Sequence, residues 1–140
     1  MEKFKKLLNH VFIDGLSGMA QGLFATLIVG TIIQQIGNLI GGDIGNHIFL
    51  LGKMAAAATC AGIGVGVAHK YKEDTLVILS AAVCGMAGGF ASKIIAGAIL
   101  SDAGAVLLAG PGEPLGAFIA AEVGIAFGHL VSGKTKVDIL

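Results

Sequence analysis

The chain is poor in charge and has neither arginine nor tryptophan. Only 13% of its 140 residues are charged, the formal net charge is zero, and no basic run is longer than Lys5-Lys6. A nucleic-acid-binding surface needs clustered positive charge, so we expect no nucleic-acid partner. The two cysteines, Cys60 and Cys84, lie in apolar segments with neither metal-ligand spacing nor a secreted disulfide pattern. We interpret them as small apolar side chains and predict no metal site.

The sequence motifs of soluble enzymes are also missing. The run Gly62-Ile63-Gly64-Val65-Gly66 lacks the spacing and the strand-turn-helix context of a dinucleotide-binding fingerprint. There is no phosphate-loop Gly-Lys-Ser/Thr and no paired nucleophile and base. We therefore predict that this chain has no catalytic constellation of its own and needs no cofactor.

Apolar residues, in contrast, are abundant. They make up 55% of the chain, and the mean hydropathy is +0.88. A soluble domain of this length cannot hide so much apolar surface. A water-soluble helical protein with an unusually large core is the alternative, but its helices would need polar faces, which the long segments here lack. The composition predicts an all-α integral membrane bundle in contact with the lipid bilayer.

The apolar residues are grouped into segments long enough to cross a membrane. A hydrocarbon core about 30 Å thick requires about 20 helical residues per crossing. Stretches of that kind, bounded by polar or glycine-rich breaks, occur at about 16–40, 48–68, 75–100 and 115–131. The sequence predicts one transmembrane domain over 1–140, with about four spans. Residues 104–114 are too short to cross and form either a re-entrant segment or an ordinary outer loop.

The positions of the lysines predict how the chain is oriented. Cytoplasmic flanks of membrane proteins have an excess of lysine and arginine. With a cytoplasmic N-terminus and an even number of spans, seven lysines fall on the cytoplasmic side, and the outer connections 38–47 and 101–114 contain none. Both termini are then cytoplasmic. Residues 1–12 combine lysines with Phe4, Leu7 and Leu8, which suggests a short interfacial helix.

Glycine makes up 23 residues and is spread through the spans. Pairs of glycines four residues apart let helix backbones approach closely, so we expect tight helix pairing. A faint internal repeat, Gly18-Met19-Ala20-Gln21-Gly22 against Gly85-Met86-Ala87-Gly88-Gly89, suggests two hairpins of the same orientation. Both patterns could arise by chance in a glycine-rich chain. The pairs are Gly18-x-x-x-Gly22, Gly62-x-x-x-Gly66, Gly85-x-x-x-Gly89 and Gly124-x-x-x-Gly128.

Three ionisable residues, Lys53, Lys93 and Glu122, fall within predicted spans. An ionisable group at the bilayer centre costs about 3 kcal/mol. Counted at 1.5 Å per residue from the outer ends of their spans, all three lie roughly 10 Å below the outer surface. We predict a cluster in which Glu122 neutralises Lys93 or Lys53 and the remaining cation holds a substrate. A structural ion pair with lysines snorkelling outward is the alternative.

Further polar residues are candidates for binding or for packing. Gln34 and Gln35 place amides in the outer third of the first span, where they bind sugar hydroxyls or hydrogen-bond neighbouring helices. Glu113, between glycine and proline, is a candidate substrate-lining carboxylate or a solvated loop residue. Asp14, His69 and His129 are placed at cytoplasmic ends, where the interface explains them. A proton-relay role for the two histidines is the alternative.

The run from Phe12 to Phe24 and the motif Gly110-Pro111-Gly112-Glu113-Pro114-Leu115-Gly116 resemble a known family. This is the membrane-embedded IIC-type component of the bacterial phosphotransferase system, in the branch of toxin regulators similar to the perfringolysin O regulator. The resemblance implies a sugar permease of the bacterial cytoplasmic membrane that works with cytoplasmic phosphotransferase proteins. Because family members are longer, the chain resembles their N-terminal part, and we expect self-association, most simply as a dimer.

Three functions remain open from the sequence. The leading prediction is a permease component for a small polar solute, a sugar, with a substrate site built from Glu113, Glu122, Lys93, Gln34 and Gln35. A membrane-bound regulatory or sensing protein without transport is the second. An oligomeric channel is the third. The three differ in whether they give saturable uptake, no flux, or ion current.

Overall fold

The computed structural model describes residues 2–97, 102–104, 106 and 112–131. In this part of the chain the secondary structure is helical, with no β-strand, which confirms the predicted all-α fold. The helices are α1 (Glu2–Ile40), α2 (Gly42–Ala57), α3 (Thr59–Lys70), α4 (Thr75–Gly89), α5 (Ala91–Ile95) and α6 (Pro114–Val131).

Helix α1 has 39 residues and includes wider π-helical turns at His10–Gly15 and Phe24–Ile28. Its length of about 58 Å is roughly twice the thickness of a hydrocarbon core. No break separates the predicted interfacial helix from the predicted first span. Asp14, at which we expected the boundary, lies within the first π-helical turn, and no proline or glycine-rich break interrupts the helix there.

The helices differ in whether they can cross a membrane. By length and composition α1 and α6 can each do so. Helices α2 and α3 qualify together, as one segment bent by 48° at Ala58, and the apolar helix α4 is shorter, with 15 residues. The described residues thus contain two to three candidate spans, and α4 with α5 occupies most of the predicted span 75–100. Most of the segment 104–114 lies outside the described residues.

Helix α1 runs antiparallel to α2 and α3 and contacts them through pairs of glycines. A Cβ added to Gly30 would lie 2.7 Å from the carbonyl oxygen of Gly52, and one added to Gly37 would lie 2.6 Å from that of Gly45. Side chains larger than hydrogen would force the backbones apart at these points. The predicted close packing of the first two glycine pairs is confirmed. The facing residues are Gly18 with Gly66, Gly22 with Gly62, Gly30 with Gly52, and Gly37 with Gly45.

The bend between α2 and α3 keeps these glycines in register. Between Gly22 and Gly30, α1 contains the π-helical turn Phe24–Ile28. The facing stretch runs from Gly52 to Gly62, is two residues longer, and contains the bend at Ala58. Irregular turns of this kind are a common cause of helix bending. The two irregularities lie opposite each other and let the glycine contacts continue from Gly18 to Gly37.

The remaining helices pack around α3, whose residues Cys60, Ile63 and Val67 are fully buried. The core contributed by α4 and α6 combines the small residues Ala81, Ala117 and Ala121 with the larger Val77, Phe118 and Ile125. Many other large apolar side chains lie on the outside, and Leu39 is 86% exposed, Val83 70% and Phe127 69%. This distribution suits a lipid environment, where helices associate through small residues and present large apolar side chains to lipid tails.

Because Gly22 packs against the backbone of Gly62, we expect Gly22→Ala to separate α1 from α3 and to destabilise the protein by about 1–3 kcal/mol. Thermal unfolding in detergent, followed by circular dichroism, measures this as a lower Tm. Ala20→Val is the matched control, because Ala20 is exposed on the same turn of α1. Equal Tm values for the two variants would show that the close backbone contact does not stabilise the fold.

Candidate functional site

A cavity of about 480 Å³ lies between the N-terminal part of α1, the α3–α4 turn and α6. Its walls combine aliphatic side chains with five polar residues that can donate or accept protons. A concave site with a few convergent polar groups is the usual form of a small-molecule site. The polar residues are His10, Tyr71, Glu73, Glu122 and His129, and the apolar ones are Leu7, Val11, Ile125, Ala126 and Leu130.

The α3–α4 turn, residues 71–74, positions two of the polar side chains. Helix α3 ends at Lys70, and the backbone N–H groups of Tyr71 and Glu73 donate to carbonyl oxygens of α3 at 3.0 and 3.1 Å. Lys72 has a φ of 58°, a left-handed conformation that non-glycine residues adopt uncommonly. This tight turn allows the side chains of both Tyr71 and Glu73 to line the cavity.

Tyr71 connects α1 with α6. Its ring stacks on the imidazole of His10, with ring centroids 3.8 Å apart and planes 24° from parallel. Its hydroxyl donates a hydrogen bond to Oε1 of Glu122. The carboxyl of Glu122, in the middle of an apolar helix, therefore has a polar partner, which reduces the cost of its burial.

Gly15 allows this contact to form next to α1. A Cβ added there would lie 2.8 Å from Oε1 of Glu122 and in contact with the Tyr71 hydroxyl. Gly15 closes the π-helical turn His10–Gly15, and such turns occur often at functional sites. The sequence thus provides an irregular turn and a missing side chain at the point where the polar groups meet α1.

Two further pairs surround this contact. His10 Nδ1 lies 3.8 Å from Oδ2 of Asp14, one π-helical turn away on the same helix. His129 Nδ1 lies 3.0 Å from Oε1 of Glu73 and so joins the turn to the end of α6. The His129 side chain is 73% exposed, and exposed pairs of this kind contribute between 0 and about 1 kcal/mol. The Tyr71 contacts are therefore the stronger connection.

Of the predicted site residues, Glu122 lies in this cavity and the other four lie elsewhere. The backbone N–H of Glu113 donates to the carbonyl of Gly89 at 2.8 Å, at the start of α6, and the Glu113 residue is exposed. Lys93 lies on α5, with Nζ 5.3 Å from the centroid of the Phe90 ring. Gln34 packs against Gly52, and Gln35 is exposed on α1.

The predicted cluster of Lys53, Lys93 and Glu122 does not form among the described residues. Helices α4 and α6 are antiparallel, with Gly88 against Gly116 and Cys84 against Gly124. This register places Lys93 beyond one end of the α4–α6 contact and Glu122 towards the other end. Lys53 is exposed on α2, with Nζ 5.7 Å from the centroid of its neighbour Phe49. The prediction placed the three residues at one depth by counting from the outer ends of their spans. The partner of Glu122 is instead Tyr71, which reaches it from the opposite end of the bundle.

Sequence reasoning missed Tyr71, Glu73 and His10 as members of a site. One local signal was present, because His10 and Asp14 have the i, i+4 spacing that brings side chains together on a helix. His129 was noted as a candidate at the end of the last span, without its partner Glu73. Among the described residues, no group of three or more His, Cys, Asp or Glu side chains could hold a metal ion.

Comparison with known protein families gives a match over most of the chain. A family model described as "Phosphotransferase system, EIIC" matches residues 13–140, which is most of the chain and includes the whole cavity except the residues before Ile13. No curated protein and no solved structure matches the chain.

Burial, together with the hydrogen bond to Glu122 and the charges of Glu122 and Asp14, raises the pKa of the Tyr71 phenol. A free phenol ionises near pH 10. We therefore expect Tyr71 to stay protonated well above that pH. The chain has one tyrosine and no tryptophan, so phenolate absorbance in an alkaline titration reports on Tyr71 alone. The pKa of Tyr71 is higher in the folded protein than in the unfolded chain. The stability that the protonated Tyr71 phenol gives to the folded protein is therefore fully present below about pH 10, and it is lost as the pH rises towards the folded-state pKa.

The detergent-denatured chain is the control for this titration, and its tyrosine should ionise near the ordinary value. Glu122→Leu removes the hydrogen bond and the nearby charge, so its Tyr71 should titrate at lower pH than in the wild type. A native Tyr71 that ionises at the same pH as in the denatured chain would contradict the described contact.

Proposed function

The chain belongs to the EIIC family of the phosphotransferase system, and from that premise we propose that it transports a sugar. As a member of this family it is a membrane permease component of the system. The match over residues 13–140 is the observation that supports the proposal, because it extends over every described helix from the π-helical turn of α1 onwards. The sugar itself follows from the family and is part of the proposal.

The proposed orientation places the Tyr71 end of the bundle in the cytoplasm of a bacterium. Five lysines support it, because they lie at that end, before the first π-helical turn of α1 or in and beside the α3–α4 turn. The cavity then lies at the cytoplasmic side of the cytoplasmic membrane, where phosphotransferase proteins act on the solute. These lysines are Lys3, Lys5, Lys6, Lys70 and Lys72.

We propose that the predicted site residues line a path rather than a single pocket. Glu113 and Lys93 lie near the end of α4, at the proposed outer side, and Glu122 lies in the cavity at the proposed inner side. Gln34 and Gln35 lie on the outer part of α1, beside α2. Carboxylates and amides separated in this way offer hydrogen-bond acceptors to sugar hydroxyls at successive depths.

Assembly from more than one copy of the chain, most simply two, is part of the proposal. The end of α1 and the start of α2 form an outer hairpin around Gly41, which lies away from the core cluster. The large apolar residues of this hairpin, such as Leu39 and Ile44, are exposed. Lipid or a second copy covers such a surface in a membrane. Cytoplasmic phosphotransferase proteins are the other proposed partners.

Sugar uptake into proteoliposomes, with and without cytoplasmic phosphotransferase proteins, tests the proposed function. We expect saturable uptake for a sugar within a panel, and a decrease of about tenfold or more for Glu113→Gln or Glu122→Gln, because each variant loses a charged acceptor worth about 1.5–3 kcal/mol. Asp43→Asn is the matched control, because Asp43 is an exposed carboxylate at the start of α2.

Each other outcome contradicts one part of the proposal, either the residues of the path or the transport of sugar itself. Saturable uptake that the two variants leave unchanged would remove Glu113 and Glu122 from the path. An absence of flux for every sugar in the panel would favour the regulatory or sensing protein that the sequence also suggested. Ion current across planar bilayers without saturable uptake would favour a channel.

A further inference from the structure

We propose that Tyr71 is a latch that fastens the N-terminal part of α1 to α6 and so holds the cavity at this end of the bundle closed. In the latched state the ring of Tyr71 contacts His10 and its hydroxyl contacts Glu122. In the open state the contact between His10 and the Tyr71 ring is broken, and the residues of α1 before the π-helical turn move away from α6. The inference rests on the geometry of this end and does not depend on which solute the protein transports.

The N-terminal part of α1 has few other attachments. The segment Glu2–Asn9 contains no buried residue, and the glycine contacts that hold α1 to α2 and α3 begin only at Gly18. Between these two regions, Leu7, His10 and Val11 reach the cavity wall. The rings of His10 and Tyr71 form a flat contact there, beside the packing of Val11 against the core cluster, and stacked rings favour this geometry.

The other side of the latch is fixed in the bundle. Glu122 belongs to α6, next to the buried residues Phe118 and Ala121. Gly15 brings the backbone of α1 against the Glu122 carboxyl, so a small displacement of α1 changes the surroundings of the hydrogen bond. The ring and the hydroxyl of one side chain therefore couple the position of α1 to α6.

The same turn makes a second contact with α6. Oε2 of Glu73 is hydrogen-bonded to Nδ1 of His129 at a distance of 3.1 Å. Tyr71 and Glu73 thus both connect residues 71–74 to α6. These contacts keep the α3–α4 turn with α6 when α1 moves. The moving part is then the segment of α1 before Gly15, and the irregular hydrogen bonding of the π-helical turn His10–Gly15 is the place where it bends.

Distances between spin labels on Lys5 and Leu130 test the latch in the full chain reconstituted in lipid nanodiscs. Both residues are exposed, one on the N-terminal part of α1 and one at the end of α6. Labels on unnatural amino acids leave Cys60 and Cys84 in place. We expect His10→Ala to lengthen and broaden the distance distribution, because it removes the stacked ring, and His10→Phe to keep it close to that of the wild type.

His47→Ala is the matched control, because His47 is an exposed histidine on α2, distant from the turn. A His10→Ala distribution identical to that of the wild type would overturn the proposal. So would equal broadening in His10→Ala and His10→Phe, because the stacked ring would then not be responsible. Far-UV circular dichroism identifies unfolding, which would broaden the distances in any variant.

Tyr71 fluorescence provides a second readout without labels, because it is the one tyrosine of a chain that lacks tryptophan. We expect the acrylamide quenching constant to rise by about twofold or more in His10→Ala, which uncovers one face of the ring. Gly15→Ala should give a similar rise, because its methyl group displaces the Tyr71 hydroxyl and Glu122 from α1. Quenching constants that match the His47→Ala control in both variants would also overturn the latch.

Discussion

The close approach of glycine backbones between α1 and the bent pair α2–α3 is the contact on which the rest of the structure depends. Apolar side chains gain nothing by leaving lipid for another apolar surface, so helices in a membrane associate through tight packing. The facing pairs from Gly18 with Gly66 to Gly37 with Gly45 provide this packing along one side of α1. They fix the antiparallel register, and the register in turn brings His10 and Gly15 to the α3–α4 turn.

The polar end of the bundle also depends on a glycine that lets two helices approach closely. Glu122 lies in a helix that is otherwise apolar, and it is tolerated because the Tyr71 hydroxyl donates to it at a point where Gly15 has no side chain. A lysine was the partner that charge alone suggested. A phenol from the neighbouring turn serves instead, and it adds an aromatic face that holds His10. Helix packing and site geometry thus both depend on glycines of α1, with Gly15 at the site and Gly18 to Gly37 along the packing interface.

Local patterns in the sequence predicted the helices and the glycine contacts, because both depend on residue spacing within one segment. The glycines at Gly18 and Gly22 take part in the close helix packing that their spacing predicted, and they face Gly66 and Gly62. The partner of Glu122 could not be found in this way. Counting residues gives the depth of a side chain along its span, but which turn reaches that depth depends on the register between helices. The continuity of α1 through Asp14 likewise depends on how the helices pack against one another.

Distances between spin labels at Ala20 and Val65, compared with Ala20 and Ile44, test the central claim most directly in lipid nanodiscs. These residues are exposed on α1, α3 and α2. The glycine register places Ala20 beside Val65, with helix axes about 8–10 Å apart, and separates Ala20 from Ile44 by about 27 Å along the helix. The account predicts a short distance for the first pair and a much longer one for the second. Equal distances, or the reverse order, would contradict it.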